Sequence, residues 1–242
     1  MSVPFLERFE TDQSRPSPSQ ALRDVAVRVL GPALVLFAAI VGLGFLVVGP
    51  LGGLRSEYAL STAVQSWRTP TWDAVTAVWS RIGNTEIIIG VAVLVVAVVW
   101  WRTRQWWYAV TPAIAIAVQA SVFVAASAIV GRPRPPVAHL DPAPPTSSYP
   151  SGHVGAATAL YLTFAMMAQR IQRAWLRRLV TAWCLLVPFL VAYARLYRGM
   201  HSLLDIAVGA LNGVVCALLA WHWLRRRGAR AQTAAALARA KE

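Results

Sequence analysis

The chain has few charged residues for its size. Only 14% of its 242 residues are Asp, Glu, Lys or Arg, whereas about a quarter are charged in a typical soluble domain. Lys241 is its single lysine, and 57% of all residues are hydrophobic. The mean hydropathy is +0.52. This composition argues against a soluble globular fold and indicates a membrane protein.

Cysteines and nucleotide-binding motifs are also scarce. Cys184 and Cys216 are the only cysteines, and each lies within an apolar run. This excludes a disulfide framework and a thiolate metal site. The sequence contains no glycine-rich nucleotide loop, zinc spacing, heptad array or internal repeat. Acidic residues are too scattered for a metal cluster, so we expect neither a metal nor another cofactor.

The chain is instead rich in long apolar runs. Six of them recur, at residues 29–49, 85–101, 108–130, 154–169, 178–194 and 203–224. We expect Pro188 to interrupt the fifth run, because a proline inside a helix removes a hydrogen-bond donor. Each run is close to the roughly 17–25 residues that a membrane-spanning helix needs. We therefore predict an all-α fold, a polytopic membrane bundle of six transmembrane helices. We predict three segments: a tail at residues 1–28, a membrane domain at 29–224 and a basic helical tail at 225–242. The first tail is predicted to become helical from Leu22.

The connection between the first two runs contains a further helix signal. Thr69 followed by Pro70 provides a cap and a first-turn proline. Trp72, Val75 and Trp79 then recur at helical spacing. We predict a short amphipathic helix at the membrane interface.

The basic residues that give the net charge of +13 are unevenly distributed between the connections of the six runs. With successive connections on opposite sides, sixteen of the 23 basic residues fall on the side of the termini. The positive-inside rule then predicts a multi-pass protein of the cell membrane with both termini in the cytoplasm. It makes membrane lipids the expected partners, and argues against nucleic acid. No pattern in the sequence sets the oligomeric state.

The most unusual stretch is residues 131–153, which faces outward in this topology. It holds seven of the fifteen prolines, as well as Arg132, Arg134 and His153. Proline at this density prevents a helix. The stretch ends in Pro-Ser-Gly-His, where Ser151 can cap a new helix and Gly152 allows close approach to the backbone. A helix N-terminus beside guanidinium groups is suited to binding phosphate.

A second polar stretch joins the last two runs. His201 and Asp205 are four residues apart, which places them on one face of a helix. We expect the carboxylate to accept the imidazole Nδ1–H, which would leave Nε2 free as a nucleophile. The alternative is that Asp205 belongs to a helix-capping box that begins at Ser202.

These residues resemble three motifs of the type 2 phosphatidic acid phosphatases, a family that shares its site with the vanadium haloperoxidases. Arg134-Pro135 matches the end of the first motif, and residues 150–153 match the second in full. Arg195, His201 and Asp205 match the third motif with its spacing. The resemblance extends over most of residues 30–224.

The resemblance implies an integral membrane lipid phosphatase without a metal. In it, His201 forms a phosphohistidine, Asp205 orients His201, and His153 acts as acid and base. Arg134, Ser151, Gly152 and Arg195 are implied to bind phosphate. The implied substrates are phosphate monoesters or diphosphates of lipids, of the phosphatidic acid, phosphatidylglycerol phosphate or polyprenyl diphosphate class, reached from the extracytoplasmic side. A phosphotransferase that uses the same site is an alternative.

Two positions depart from the family pattern. Ser127 stands where the family has a phosphate-binding lysine, and Ala194 where it has a serine. Arg132 is a candidate to replace part of the lost charge, although a guanidinium and an ammonium place charge differently. The loss leaves a catalytically weakened or non-enzymatic membrane relative as a further alternative.

Overall fold

The computed structural model describes residues 16–54, 56–143 and 146–239, with side chains described as far as residue 223. Its described residues are organised by ten α-helices: α1 (Pro18–Val25), α2 (Gly31–Val48), α3 (Glu57–Ser66), α4 (Pro70–Ile82), α5 (Thr85–Thr103), α6 (Trp106–Ala109), α7 (Thr111–Val130), α8 (Gly152–Ala168), α9 (Ala174–Tyr197) and α10 (Leu203–Arg239). The predicted all-α class is confirmed.

Within the described ranges, five helical segments are long and apolar enough to cross a membrane, namely Pro18–Val48, Thr85–Thr103, Trp106–Val130, Ala174–Tyr197 and Leu203–Trp223. The remaining predicted run, residues 154–169, corresponds to α8, an apolar helix that is shorter than these five. It packs against α7, α9 and α10 and forms the centre of the bundle. Large apolar side chains such as Val35 and Phe189 are exposed on the outer helices, as expected for surfaces that face lipid. The chain is thus a multi-pass membrane protein.

The first helical segment begins earlier than predicted. Its start is Pro18 and not Leu22, because Ser17 and Gln20 form a reciprocal capping box. A π-helical turn at Ala26–Leu30 joins α1 to α2. Residues 1–15 of the predicted tail lie outside the described residues.

Two further boundaries differ from the prediction. Pro188 was expected to interrupt the fifth apolar run, but α9 continues through it. The last apolar run and the basic tail were expected to be separate, but α10 is one helix that continues to Arg239. Residues 240–242 lie outside the described part of the chain.

The predicted interfacial helix is α4. Thr69 caps it by accepting a hydrogen bond from the N–H of Trp72, at 3.3 Å. Its neighbour α3 was not predicted, since its ten residues lack a strong apolar period. Helix α4 packs against α9, so this connection covers the end of the bundle at which α9 finishes and α10 begins. We call that end, with residues 131–143, 146–151 and 198–202, the site end.

Helices α8 and α10 approach each other so closely that their backbones are in contact. A Cβ atom placed on Gly209 would lie 2.4 Å from the carbonyl oxygen of Ser151. One placed on Gly213 would lie 2.5 Å from the carbonyl oxygen of Gly155. Only glycine fits at these two positions without a shift of the backbone.

Candidate active site

A cavity of about 560 Å³ opens at the site end. Five of the residues proposed from the sequence line it: Arg134, Gly152, His153, Arg195 and His201. They come from the proline-rich loop, the first turn of α8, the last turn of α9 and the link to α10. The fold therefore brings two imidazoles and two guanidiniums to one cavity.

The imidazole of His201 is held by the main chain of the proline-rich loop. Its Nδ1 lies 2.8 Å from the carbonyl oxygen of Ser148. Because a carbonyl only accepts, the neutral ring carries its proton on Nδ1 and leaves Nε2 unprotonated. The predicted hydrogen bond from His201 to Asp205 is wrong, since the four-residue spacing places both groups on one face without setting their partners.

The carboxylate of Asp205 instead joins the loop to the start of α10. It accepts hydrogen bonds from the hydroxyl of Ser148 and from the N–H of Ser202, the latter at 2.8 Å. The Ser202 contact is half of the capping box that was the alternative interpretation. Because Ser148 also contacts His201, Asp205 positions the imidazole through this serine.

Arg132 completes a buried ionic cluster with Asp205. Its Nη1 lies 2.6 Å from Asp205 Oδ1, and its Nη2 lies 2.9 Å from Glu57 Oε2. Burial acts to lower the pKa of Arg132, but the two carboxylates outweigh it and raise that pKa. Glu57 also accepts from the N–H of Leu204, at 2.9 Å. The two terminal nitrogens of Arg132 are engaged in this cluster, and its Nε has no partner among the described residues. Arg132 does not line the cavity, which argues against the suggestion that it replaces the missing lysine.

His153 is fixed by a residue that the sequence did not single out. Its Nε2 lies 3.1 Å from the side-chain oxygen of Asn84, the N-cap of α5. An amide oxygen accepts, so Nε2 donates in this contact and Nδ1 is the second nitrogen of the ring. No motif marks Asn84, because its partner is 69 positions away.

The two arginines of the cavity wall are also held by polar contacts. Arg195 donates from Nη1 to Ser80, at 2.9 Å, and to Asp141, at 2.8 Å. Its Nε has no partner within the described ranges. Arg134 donates from Nη1 to the carbonyl oxygen of Met200, at 2.8 Å. These contacts fix the guanidiniums and leave donor capacity for an anion.

Asp141 connects Arg195 to a further arginine, Arg198. The Nε of Arg198 lies 2.8 Å from Asp141 Oδ1. Burial opposes the ionisation of Asp141, but its hydrogen bonds and the two arginines hold its pKa below the usual value. The contact orders the loop against α9, and no sequence motif includes Asp141.

Three proposed site residues do not line the cavity. Ser151 is the N-cap of α8, as predicted, but its hydroxyl makes no capping hydrogen bond and has no partner in the described part of the chain. Asp205 lies behind Ser148, as described above. Ser127 is 5% exposed on α7, one helical turn beyond the cavity-lining Phe123.

The charge of His201 depends on its surroundings. The side chain is 4% exposed. Burial, followed by the positive charges of Arg195 and Arg134, holds its pKa well below the ordinary value of 6.5. The imidazole therefore stays neutral, the form that a nucleophile requires, on the acid side of that value.

This shift predicts an acid-sensitive stability. Below pH 6.5 the unfolded chain binds a proton at His201 that the folded protein does not. The free energy of unfolding is therefore unaffected by His201 above pH 6.5 and decreases as the pH falls below that value. We expect a loss of about 1.4 kcal/mol per pH unit from this residue. His201→Gln should flatten the decline in melting temperature measured in detergent from pH 8 to 5. Parallel declines in both proteins would contradict the assignment.

A comparison with known protein families gives one match. A sequence profile of the PAP2 superfamily matches residues 105–229. No curated protein matches the sequence.

Two solved structures have the same fold. The PAP2-type phosphatidylglycerolphosphate phosphatase of Bacillus subtilis aligns with a TM-score of 0.68 at 19% identity, over 83% of this chain and 96% of its own. Aquifex aeolicus LpxE aligns with a TM-score of 0.55 at 21% identity, over 68% of this chain and 93% of its own. The profile match covers more than half of the sequence and includes His153, Arg195 and His201, and on this ground the chain belongs to the PAP2 superfamily.

Proposed function

We propose that this protein is an integral membrane lipid phosphatase that hydrolyses phosphate monoesters or diphosphates of lipids through a phosphohistidine. One observation carries the proposal: His153, His201, Arg134 and Arg195 line the same cavity, whose remaining wall is largely apolar. Such a cavity suits a substrate with a phosphate head and a hydrocarbon tail. The name of the Bacillus subtilis relative is consistent with this substrate class.

In the first step Nε2 of His201 attacks phosphorus, and the bond from phosphorus to the lipid oxygen breaks. Its orientation comes from the Nδ1 contact with Ser148, which Asp205 supports through the Ser148 hydroxyl. In the substrate complex His153 carries a second proton, on Nδ1, and donates it to the departing oxygen while its Nε2–H stays bonded to Asn84. The lipid leaves as an alcohol, or as a monophosphate when the substrate is a diphosphate.

In the second step water attacks phosphorus, His153 accepts a proton from it, and the phosphorus–nitrogen bond breaks. Inorganic phosphate and free His201 are the products. Arg134, Arg195 and the free N–H groups at the start of α8 neutralise the charge that builds on the phosphoryl oxygens. Because guanidiniums supply this neutralisation, the proposed reaction needs no metal.

We place the cavity on the extracytoplasmic side. The distribution of basic residues supports this orientation, since sixteen of the 23 lie on the side of the termini, opposite the site end. The substrate head would then be reached from the outer leaflet.

Phosphate release by the purified protein in detergent with EDTA tests the function. The substrates are phosphatidic acid, phosphatidylglycerol phosphate and a polyprenyl diphosphate, each given to wild type and to His201→Gln. We expect EDTA-resistant release from at least one lipid by wild type alone. Equal release by both proteins, or none from the whole panel, would contradict the proposal. Transfer of phosphate to an added alcohol would reveal the phosphotransferase alternative.

Ser127 offers a way to restore the family's missing charge. It continues the helical face on which Phe123 lines the cavity, so a lysine there can extend toward Arg134. We expect Ser127→Lys to raise kcat/KM for lipid phosphate about tenfold, the effect of one charge-assisted hydrogen bond. Ser127→Met is the matched control because it adds length without charge. A gain in both variants, or in neither, would contradict the placement of Ser127.

A further inference from the structure

The cavity continues from the two histidines into the membrane-spanning part of the bundle. Its deeper wall is apolar and includes Ala113, Ile116 and Ala117. Gln119, in the middle of α7, is an exception. A polar side chain at this depth is costly unless it has a partner, which makes it a candidate for a functional role.

The side-chain amide of Gln119 lacks such a partner. The residue is 1% exposed, and its Nε2 has no acceptor in the part of the chain that the structure describes. The backbone carbonyl oxygen of Gln119, in contrast, accepts a hydrogen bond from the Nδ2 of Asn212, at 3.2 Å. The backbone of α7 is thus tied to α10 at this level, and the unused donor belongs to the side chain.

The amide lies against Gly155 of α8. A Cβ atom at Gly155 would lie 2.3 Å from the Nε2 of Gln119, so the absence of a side chain there makes room for it. Gly155 is three residues after Gly152, which places the amide about 4.5 Å deeper along the helix axis than the start of α8. The amide N–H of Gln119 therefore lies about 4.5 Å deeper in the bundle than the proposed phosphate position.

We propose that Gln119 donates a hydrogen bond to an ester carbonyl of the substrate, and that the preferred substrates are diacylglycerol phosphates. This inference rests on the proposed function. In these lipids an ester is attached to the glycerol carbon next to the one that bears the phosphate. Its carbonyl oxygen therefore lies just below the phosphate, on the side of the hydrocarbon tails. A polyprenyl chain has no acceptor at that depth and leaves the amide unpaired, which disfavours it.

The test compares dioleoyl phosphatidic acid with its dialkyl ether analogue, which lacks both carbonyl oxygens, and with a polyprenyl diphosphate. We expect wild type to prefer the ester over the ether by about three- to tenfold in kcat/KM, the effect of one hydrogen bond. In Gln119→Met, a variant of similar length without a donor, this ratio should fall to about one. The preference for phosphatidic acid over the polyprenyl diphosphate should fall by the same factor.

Ser121→Met is the matched control. Ser121 lies two residues away on α7 and lines a different groove, toward α2, so this variant should keep the ester preference. An ester-to-ether ratio of one in wild type overturns the inference without any variant, as does a preference that Gln119→Met retains. In both cases phosphate release from the ether lipid leaves the proposed function standing. No release from any of the three lipids would overturn both.

Discussion

His201→Gln should lower phosphate release by roughly 10⁴-fold or more, the scale observed when a covalent nucleophile is removed. Glutamine keeps a polar side chain of similar reach but cannot form the phosphorus–nitrogen bond. The measurement is release of inorganic phosphate from a lipid phosphate in detergent. A second readout is radiolabelled phosphate bound to the protein, stable in base and lost in acid, which only wild type should show.

The two histidines can be separated with an aryl phosphate whose leaving group needs no proton. His153→Ala should then complete the first step and fail at the second, because the residue that activates water is missing. Labelled protein should accumulate in His153→Ala and stay absent from His201→Gln. His139→Gln is the control, since the His139 ring contacts the carbonyl oxygen of Pro135 at 3.2 Å and does not line the cavity. Label on His201→Gln would exclude His201 as the nucleophile.

Asp205→Ala should destabilise the protein by about 3–5 kcal/mol, the usual cost of breaking a buried ion pair. Asp205 is 0% exposed and Arg132 is 2% exposed, so the variant leaves a buried guanidinium without its main partner. The Ser148 hydroxyl and the Ser202 N–H lose an acceptor in the same change. The measurement is unfolding in detergent, followed by heat or denaturant.

A double-mutant cycle distinguishes this ion pair from general damage to the fold. Arg132→Met alone should also destabilise, because it leaves Asp205 and Glu57 unpaired. The double variant Arg132→Met/Asp205→Leu should lose less than the sum of the two single losses, since it removes both charges together. Ser202→Ala, next to the cluster but with a hydroxyl that has no partner in the described residues, is the control. Additive losses would show that the two charges act independently.

The sequence was sufficient to predict five of the residues that line the cavity, but not the contacts that hold them. The motif spacings indicated His153, Arg195 and His201, because helical geometry and the alternation of membrane spans place them at one end of the bundle. They could not indicate that Ser148 holds His201, since that contact joins residues 53 positions apart. Asp141 was missed for the same reason, because its partner Arg195 lies 54 positions away.

The helix boundaries were likewise predicted correctly only where the signal is local. Proline and capping residues predicted the starts of α4 and α8, because these signals act within one turn. The same local reasoning suggested a break at Pro188, but the packing of α9 against α8 and α4 is a tertiary effect that a local signal does not include. Ser127 was correctly placed on the helix before the loop. Only the three-dimensional arrangement shows that its short side chain stops outside the cavity.

The contact between Gly209 and the carbonyl oxygen of Ser151 has a consequence for how the protein tolerates its surroundings. His153 stands in the first turn of one of the two touching helices, and His201 lies two residues before the start of the other. The spacing of the two backbone segments that carry these imidazoles is therefore set by main-chain atoms, which cannot change rotamer. We therefore expect changes in bilayer thickness or lipid composition to tilt the outer helices without separating these two backbone segments.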